Sequence, residues 1–149
     1  MVNIKIEKQS DTLPDTIRKI INSNENFKRD LLLRIANEFL QTIKFLAPRD
    51  TGEYANSWGV QRVDSNSVTI GTPHGDLAIY LEYGTAPHPI FPKRKKTLHW
   101  VDGSGDHFAL YVRHPGFPAK PHIRPAMNVV EAKINDIAKE IISKYFKSS

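Results

Sequence analysis

The sequence predicts an α+β fold: an antiparallel sheet of about four strands with two long amphipathic helices packed on one of its faces, in a single domain over residues 1–149. Two observations carry this. Apolar residues recur every three or four positions over 25–46 and again over 125–146, the spacing that lays one stripe along an α-helix. Between those stripes lie short runs rich in Val, Ile, Tyr and Trp, separated by clusters of Asp, Ser, Asn, Gly and Pro, which read as strands joined by turns.

Taken in order, Val2, Ile4 and Ile6 alternate with polar neighbours, a period of two that predicts a short edge strand or arm. Pro14 to Ile21 suits one or two helical turns, with Asp11 or Thr12 as N-cap. Asn22-Ser23-Asn24 interrupts it. The helix over 25–46 is the clearest element: Phe27, Leu31, Ile35, Phe39, Ile43 and Leu46 make its stripe. Asn24 is placed to cap it, and Pro48 stops it. A turn at Asp50-Thr51-Gly52 leads into a strand carrying Trp58, Val60 and Val63, and a loop at Asp64-Ser65-Asn66 into a second with Val68, Ile70 and Thr72. Leu77–Tyr83 is nearly continuous in apolar character and predicts a central third strand. Phe108–Val112 predicts the fourth. The intervening residues 84–107, rich in Pro, Lys and His, are too many for a hairpin turn and read as an excursion. Finally Val130, Ile134, Ile137, Ile141 and Tyr145 stripe the C-terminal helix, with Pro125 in its first turn and a tail at 147–149 expected to fray.

Composition narrows the function classes. A chain of 149 residues can bury roughly two thirds of its unfolded surface. No apolar run approaches the ~18 residues of a membrane span, and the opening MVNIKIEKQS lacks the apolar segment of a secretory signal. There are no cysteines, which removes disulfides and thiolate metal sites. The net charge is +5 and the pI about 9.5, which suits an acidic partner or nucleic acid and equally an ordinary soluble chain.

Three groups of residues invite a chemical reading, and each has a plainer one. His99, His107, His114 and His122, with Asp102 or Asp106, are enough for a metal site, but no HExxH or comparable spacing is present; scattered surface or turn histidines are the favoured reading. The run Lys93-Arg94-Lys95-Lys96, followed by Trp100, offers charge for phosphate and a ring for stacking; it also reads as a solvated loop that meets an acidic protein. Tyr83-Gly84-Thr85-Ala86-Pro87-His88-Pro89 could line a pocket, or form a strand end where Gly84 permits a sharp exit and Pro87 stiffens it. His114-Pro115-Gly116 reads as a type II turn. Glu82 has no acid/base partner at defined spacing, so no catalytic residue, cofactor site or metal site is assigned.

These phrases together resemble a family. Residues 47–58, APRDTGEYANSW, are similar to the segment AP-x-DTG-x-L-x-x-S of the gene-product-10-like tail-completion proteins of long-tailed phages. Ile79 to Ile90 resembles its Y-x-x-Y-L-E-F-G-T-x-x-H-x-I, Pro92–Trp100 its P-K-x-x-K-A-L-x-W, and His114–Ala126 its H-P-G-x-x-x-x-P-F-x-R-P-A. The four phrases keep their order over about residues 47–127, and residues before 47 match only as a helix. The departures are Tyr54 for the usual Leu and His122 for the usual Phe. The resemblance implies a structural virion part rather than an enzyme. It would sit in the tail or neck of the particle, and in the host cytoplasm before assembly. As a hexameric ring it would complete the tail and join it to the head connector. Its partners would be other copies of itself, the connector or stopper protein and the tail tube protein, with DNA passing nearby. Lys93, Arg94, Lys95, Lys96, Trp100 and Arg124 are the expected partner-interface residues. Gly52, Gly84, Pro87, His88, His114, Pro115, Gly116 and Pro125 are expected to shape the backbone. The alternative is a nucleic-acid-binding or metal-dependent DNA-processing protein.

Overall fold

The computed structural model describes residues 2–7 and 24–146; the helical turns expected at 14–21 and the tail at 147–149 lie outside them. The described elements are β1 (Val2–Glu7), α1 (Glu25–Leu46), α2 (Glu53–Asn56), β2 (Gly59–Val63), β3 (Ser67–Thr72), α3 (Gly75–Tyr83), β4 (His88–Ile90), β5 (Leu98–Asp102), β6 (Gly105–Ala109), β7 (Val112–His114) and α4 (Ile123–Phe146).

The α+β class holds, and both long helices form where their stripes predict. Asn24 Oδ1 accepts the Phe27 N–H at 3.0 Å, the expected N-cap. The helices run antiparallel along each other, with Phe39, Ile35 and Leu32 of α1 and Val130, Ile137 and Ile141 of α4 buried in one core. Ion pairs follow the seam: Glu38 with Lys133 at 2.6 Å, Arg34 with Glu140 at 3.5 Å and Asp30 with Lys144 at 3.1 Å. Their exposed partners limit each to about 0–1 kcal/mol, so burial, not charge, holds the pair. Of the two long helices only α1 packs substantially on the sheet, through β3, and α4 packs on α1 instead.

The sheet departs from expectation. Its three antiparallel strands are ordered β1-β3-β2, with the N-terminal strand on one edge and a bulge between Val60 and Arg62 on the other. The central strand is β3, whose Val68 and Ile70 are fully buried. The expected central strand at 77–83 is instead the helix α3. Its run is apolar on every side, so period alone could not separate helix from strand. Gly75, Ala78 and Glu82 face inward at helical spacing, and α3 packs on β1 and β3. Gly84 ends it with φ +73°, its N–H bonded to the Tyr80 carbonyl at 2.8 Å. The fourth strand expected at 108–112 is divided between β6 and β7, which leave the body altogether.

Candidate functional site

Two neighbouring constructions hold nearly all the residues singled out from the sequence: a buried joint in the body and an arm that projects from it.

The joint begins at Gly52, whose φ of +84° turns the chain into α2. That short helix drives Tyr54 and Ala55 inward and brings Trp58 to the centre of the core, edge-on to Phe39 and Tyr54. The Tyr54 hydroxyl meets His122 Nε2 at 2.6 Å. His122 Nδ1 lies 3.0 Å from the Lys120 carbonyl; a carbonyl only accepts, so Nδ1 carries the proton and Tyr54 donates to Nε2. Burial pushes the Tyr54 phenol up to about 12, and the negative charge of Glu82 adds to the effect.

Glu82, on α3, closes the joint. One carboxylate oxygen accepts the N–H groups of His122 and Ile123, each at 2.8 Å, and the other that of Arg124 at 3.1 Å. Pro125 has no N–H, and Ala126 begins the regular ladder by bonding to the His122 carbonyl. Every donor that the start of α4 would leave unpaired is thereby answered. Burial alone would raise the Glu82 carboxyl, but the three N–H bonds outweigh it and hold it below the usual range. The residue considered for acid/base work on a strand is thus a helix cap on a helix. The sequence signal was Pro125 in the first turn with no Ser, Thr, Asp or Asn before it, which called for an acceptor from elsewhere.

The arm comprises residues 85–117. At its base Thr85 and Phe117 exchange both backbone hydrogen bonds, at 3.0 and 3.2 Å. Gly84 and Gly116 make that approach possible. A Cβ on Gly84 would lie 2.7 Å from the Ala119 nitrogen, and one on Gly116 would strike the Thr85 carbonyl oxygen. Gly116 has the positive φ of a type II turn, +77°, but the chain runs straight on through it to the Phe117 bridge. Beyond the base, β4 pairs with β7 in the register His88↔His114 to Ile90↔Val112. Then β5 pairs with β6 from Leu98↔Ala109 to Asp102↔Gly105. Residues 84–107 are therefore the outgoing strands, the tip and the start of the return of one long hairpin rather than a free excursion. The residues from 91 to 97, with the basic run, bulge from its middle.

The arm's strands pack chiefly on one another, and none packs substantially on an element of the body. Cross-strand rings stack along it: His88 on His114 with centroids 5.1 Å apart, His99 on Phe108 at 4.6 Å, Trp100 on His107 at 5.1 Å, with Phe91 near Tyr111 at 5.9 Å. At the tip the Ser104 hydroxyl and N–H, then His107, bind Asp102 and hold its carboxyl below the usual range. Val101, Phe108 and Leu110 remain 65, 68 and 72 % exposed, with no core to receive them.

Of the expected interface residues, Lys93, Arg94, Lys95, Lys96 and Trp100 share the arm and are exposed, whereas Arg124 lies on the body at the start of α4. Pro87 and Pro115 flank the arm's base and are exposed. The histidines do not converge: His99 pairs with Asp106, His107 with Asp102, His114 with His88, and His122 stays in the joint. Among the described residues no group of three or more His, Asp or Glu could hold a metal ion.

The body up to the end of α3 decides the family. Residues 5–84 match the model of the HK97-gp10-like family, described as "Bacteriophage HK97-gp10, putative tail-component". The chain belongs to the HK97-gp10-like family. It is a phage tail component by that membership, and the match takes in the DTG phrase and the Glu82-Tyr83-Gly84 phrase. It also starts well before residue 47, where the phrases themselves begin, and stops short of the arm. No curated protein and no solved structure matches the chain. Among the described residues no helix of this HK97-gp10-like chain is long and apolar enough to cross a membrane.

Proposed function

We propose that this chain completes the phage tail and joins it to the head connector, acting as a ring in which the arm is the contact element. The observation that carries the reading is the arm itself. A 33-residue hairpin whose cross-strand rings stack on one another while its apolar side chains stay largely exposed is ordered by its own contacts and packs little on the body. An exposed apolar surface of that kind marks an interaction site. Lys93, Arg94, Lys95 and Lys96 form no ion pair among the described residues, so their charge is available to a partner. The partners on this reading are further copies of the chain, the connector or stopper protein and the tail tube protein.

Replacing all four basic residues with Ser should leave the melting temperature nearly unchanged, because exposed charges contribute about 0–1 kcal/mol each. In a complementation assay the same variant should leave heads and tails as separate particles, since interfacial charges set orientation and association rate. Normal particle yield would refute the docking role. The second reading, nucleic-acid binding, rests on the same run beside Trp100. It requires duplex affinity that falls steeply with salt, which a salt-series titration of the unmodified protein measures directly.

A further inference from the structure

Four of the chain's six histidines lie on the arm, and they stand in two different settings. At the root, His88 and His114 face each other in register across β4 and β7, their rings stacked with centroids 5.1 Å apart. Nearer the tip, His99 meets Asp106 and His107 meets Asp102. The hydrogen bonds at the root fix where its protons sit. The Gly116 N–H donates to His114 Nδ1 at 3.0 Å, so that nitrogen holds a lone pair and the ring is neutral. His88 Nδ1 lies 2.9 Å from the Ala86 carbonyl, which only accepts, so His88 carries a proton there. The bond to Gly116 is made where the arm is tightest. A Cβ on Gly116 would strike the Thr85 carbonyl oxygen, and the next N–H, that of Phe117, is shared between the Thr85 carbonyl and the Thr85 hydroxyl, each at 3.2 Å.

A proton added to His114 Nδ1 turns an acceptor into a donor, and that donor then faces the Gly116 N–H. A proton on each ring also sets two cations face to face, and like charges directly opposite in an antiparallel pair are destabilising. The surroundings do not compensate. β4 carries no other titratable group, and β7 only Arg113, a further cation that sits opposite Pro89 and so on the ribbon's other face. Beyond the base stand Glu82, Tyr83 and Lys120, and the Glu82 carboxylate is taken up by the start of α4. Neither ring has an ion-pair partner among the described residues. At the tip the same proton acts the other way, completing an ion pair with Asp106 or Asp102. No strand of the arm packs substantially on the body, so the posture of the arm depends on its root. We propose that the His88–His114 pair is an acid-sensitive latch: neutral, it holds the root of the arm closed; protonated, it lets the root open while the tip stays paired. The latch belongs to the arm's attachment and operates whatever the arm touches.

Hydrogen exchange of the purified full chain, corrected for the intrinsic effect of pH on the rate, tests this between about pH 8 and 5, an interval that spans the ordinary imidazole value of about 6.5. On acidification the amides within 85–90 and 112–117 should lose protection at least about threefold, while those of 98–109 and of α1 keep theirs. A variant carrying His88→Phe and His114→Asn retains a ring for the stack and a side-chain acceptor for Gly116, and neither new side chain titrates. Its root should be equally protected at both ends of the range. Unchanged root protection in the unmodified protein overturns the latch. So does an acid loss that persists undiminished in the variant, or one spread equally over root, tip and α1. Where the variant fails to close its root at either pH, the unmodified protein decides by NMR. The Gly116 amide resonance should then move with the same midpoint as the His114 ring protons, and a Gly116 amide that ignores that titration overturns the proposal.

Discussion

Glu82→Gln is the sharpest probe of the joint. The carboxylate accepts three N–H groups at the start of α4, and its side chain is 5 % exposed. Gln keeps one accepting oxygen for His122 and Ile123 but turns an NH₂ group toward the Arg124 N–H. One buried donor then faces another, and the favourable charge at the helix N-terminus is lost. A buried unpaired group costs about 1–3 kcal/mol and the charge at a helix end about 0.3–1 kcal/mol, so Gln should cost roughly 1.3–4 kcal/mol at pH 7. Ala strands all three donors, two of them with some access to water, and should cost roughly 3–5 kcal/mol on the same scale. That is a large part of a typical domain's stability of about 5–15 kcal/mol. The pH dependence is diagnostic. The folded carboxyl titrates below its unfolded value, so its contribution is present above about pH 4.3 and fades as the pH falls through the lower folded value. Urea unfolding of the unmodified protein and the Gln variant at a series of pH values should show their difference narrowing below pH ~4. A difference under ~0.5 kcal/mol at pH 7, or one that stays constant into acid, would refute the capping account.

Other perturbations separate the remaining parts. Truncating the core stripes, Ile35→Ala or Ile137→Ala, should cost about 2–5 kcal/mol each; under ~0.5 kcal/mol at both would mean that the stripes do not hold the helix pair. Gly116→Ala should loosen the arm's base, because its Cβ would also lie 2.9 Å from the Ala86 carbonyl carbon. Hydrogen exchange should then speed up across β4–β7 and not in α1, and uniform protection would refute the clamp. The Tyr54 phenol contributes stability that is whole below pH ~10 and is lost as the pH rises toward about 12, roughly 2–3 kcal/mol in all; Tyr54→Phe should lack this alkaline limb. Tyr54→Leu and His122→Phe should each cost about 1–3 kcal/mol singly, by orphaning the partner, but far less together. Additive losses would show that the two residues act independently.

Both long helices were legible because their stripes are long, one-sided and bounded by a capping Asn24 and by prolines. The edge strand and β3 were legible from alternation. The run 77–83 was not, because α3 is flanked on its outer side by surface that is itself apolar: Ile79, Tyr80 and Tyr83 erase the polar face that would have shown a helical period. The arm was missed for a related reason. Its two halves are joined across the bulge at 91–97, and its cross-strand partners obey ring stacking rather than burial, so no inward alternation marks them. The glycine and proline phrases were seen correctly as backbone devices. What they build, a close crossing of two chain segments more than thirty residues apart, is a tertiary fact that local turn chemistry does not contain.

Glu82, Gly84 and Thr85 lie within four consecutive positions, and so tie the joint to the arm. Glu82 fastens the start of α4, Gly84 lets the chain pass against residues 117–119, and Thr85 pairs with Phe117 at the root of the hairpin. The returning strand then reaches His122 and the first turn of α4 within six residues. An arm of about 40 Å at ~3.3 Å per residue is long relative to its base, and a load on it must be met near that base. Here the base is stitched on one side to α3, which lies on the sheet, and on the other to α4, which lies on α1. Glu82 links the two sides through three N–H donors, one buried and two partly buried, a geometry that a small displacement would break rather than stretch. The arm can therefore be positioned by the core without packing on it, which leaves its apolar faces free for a partner.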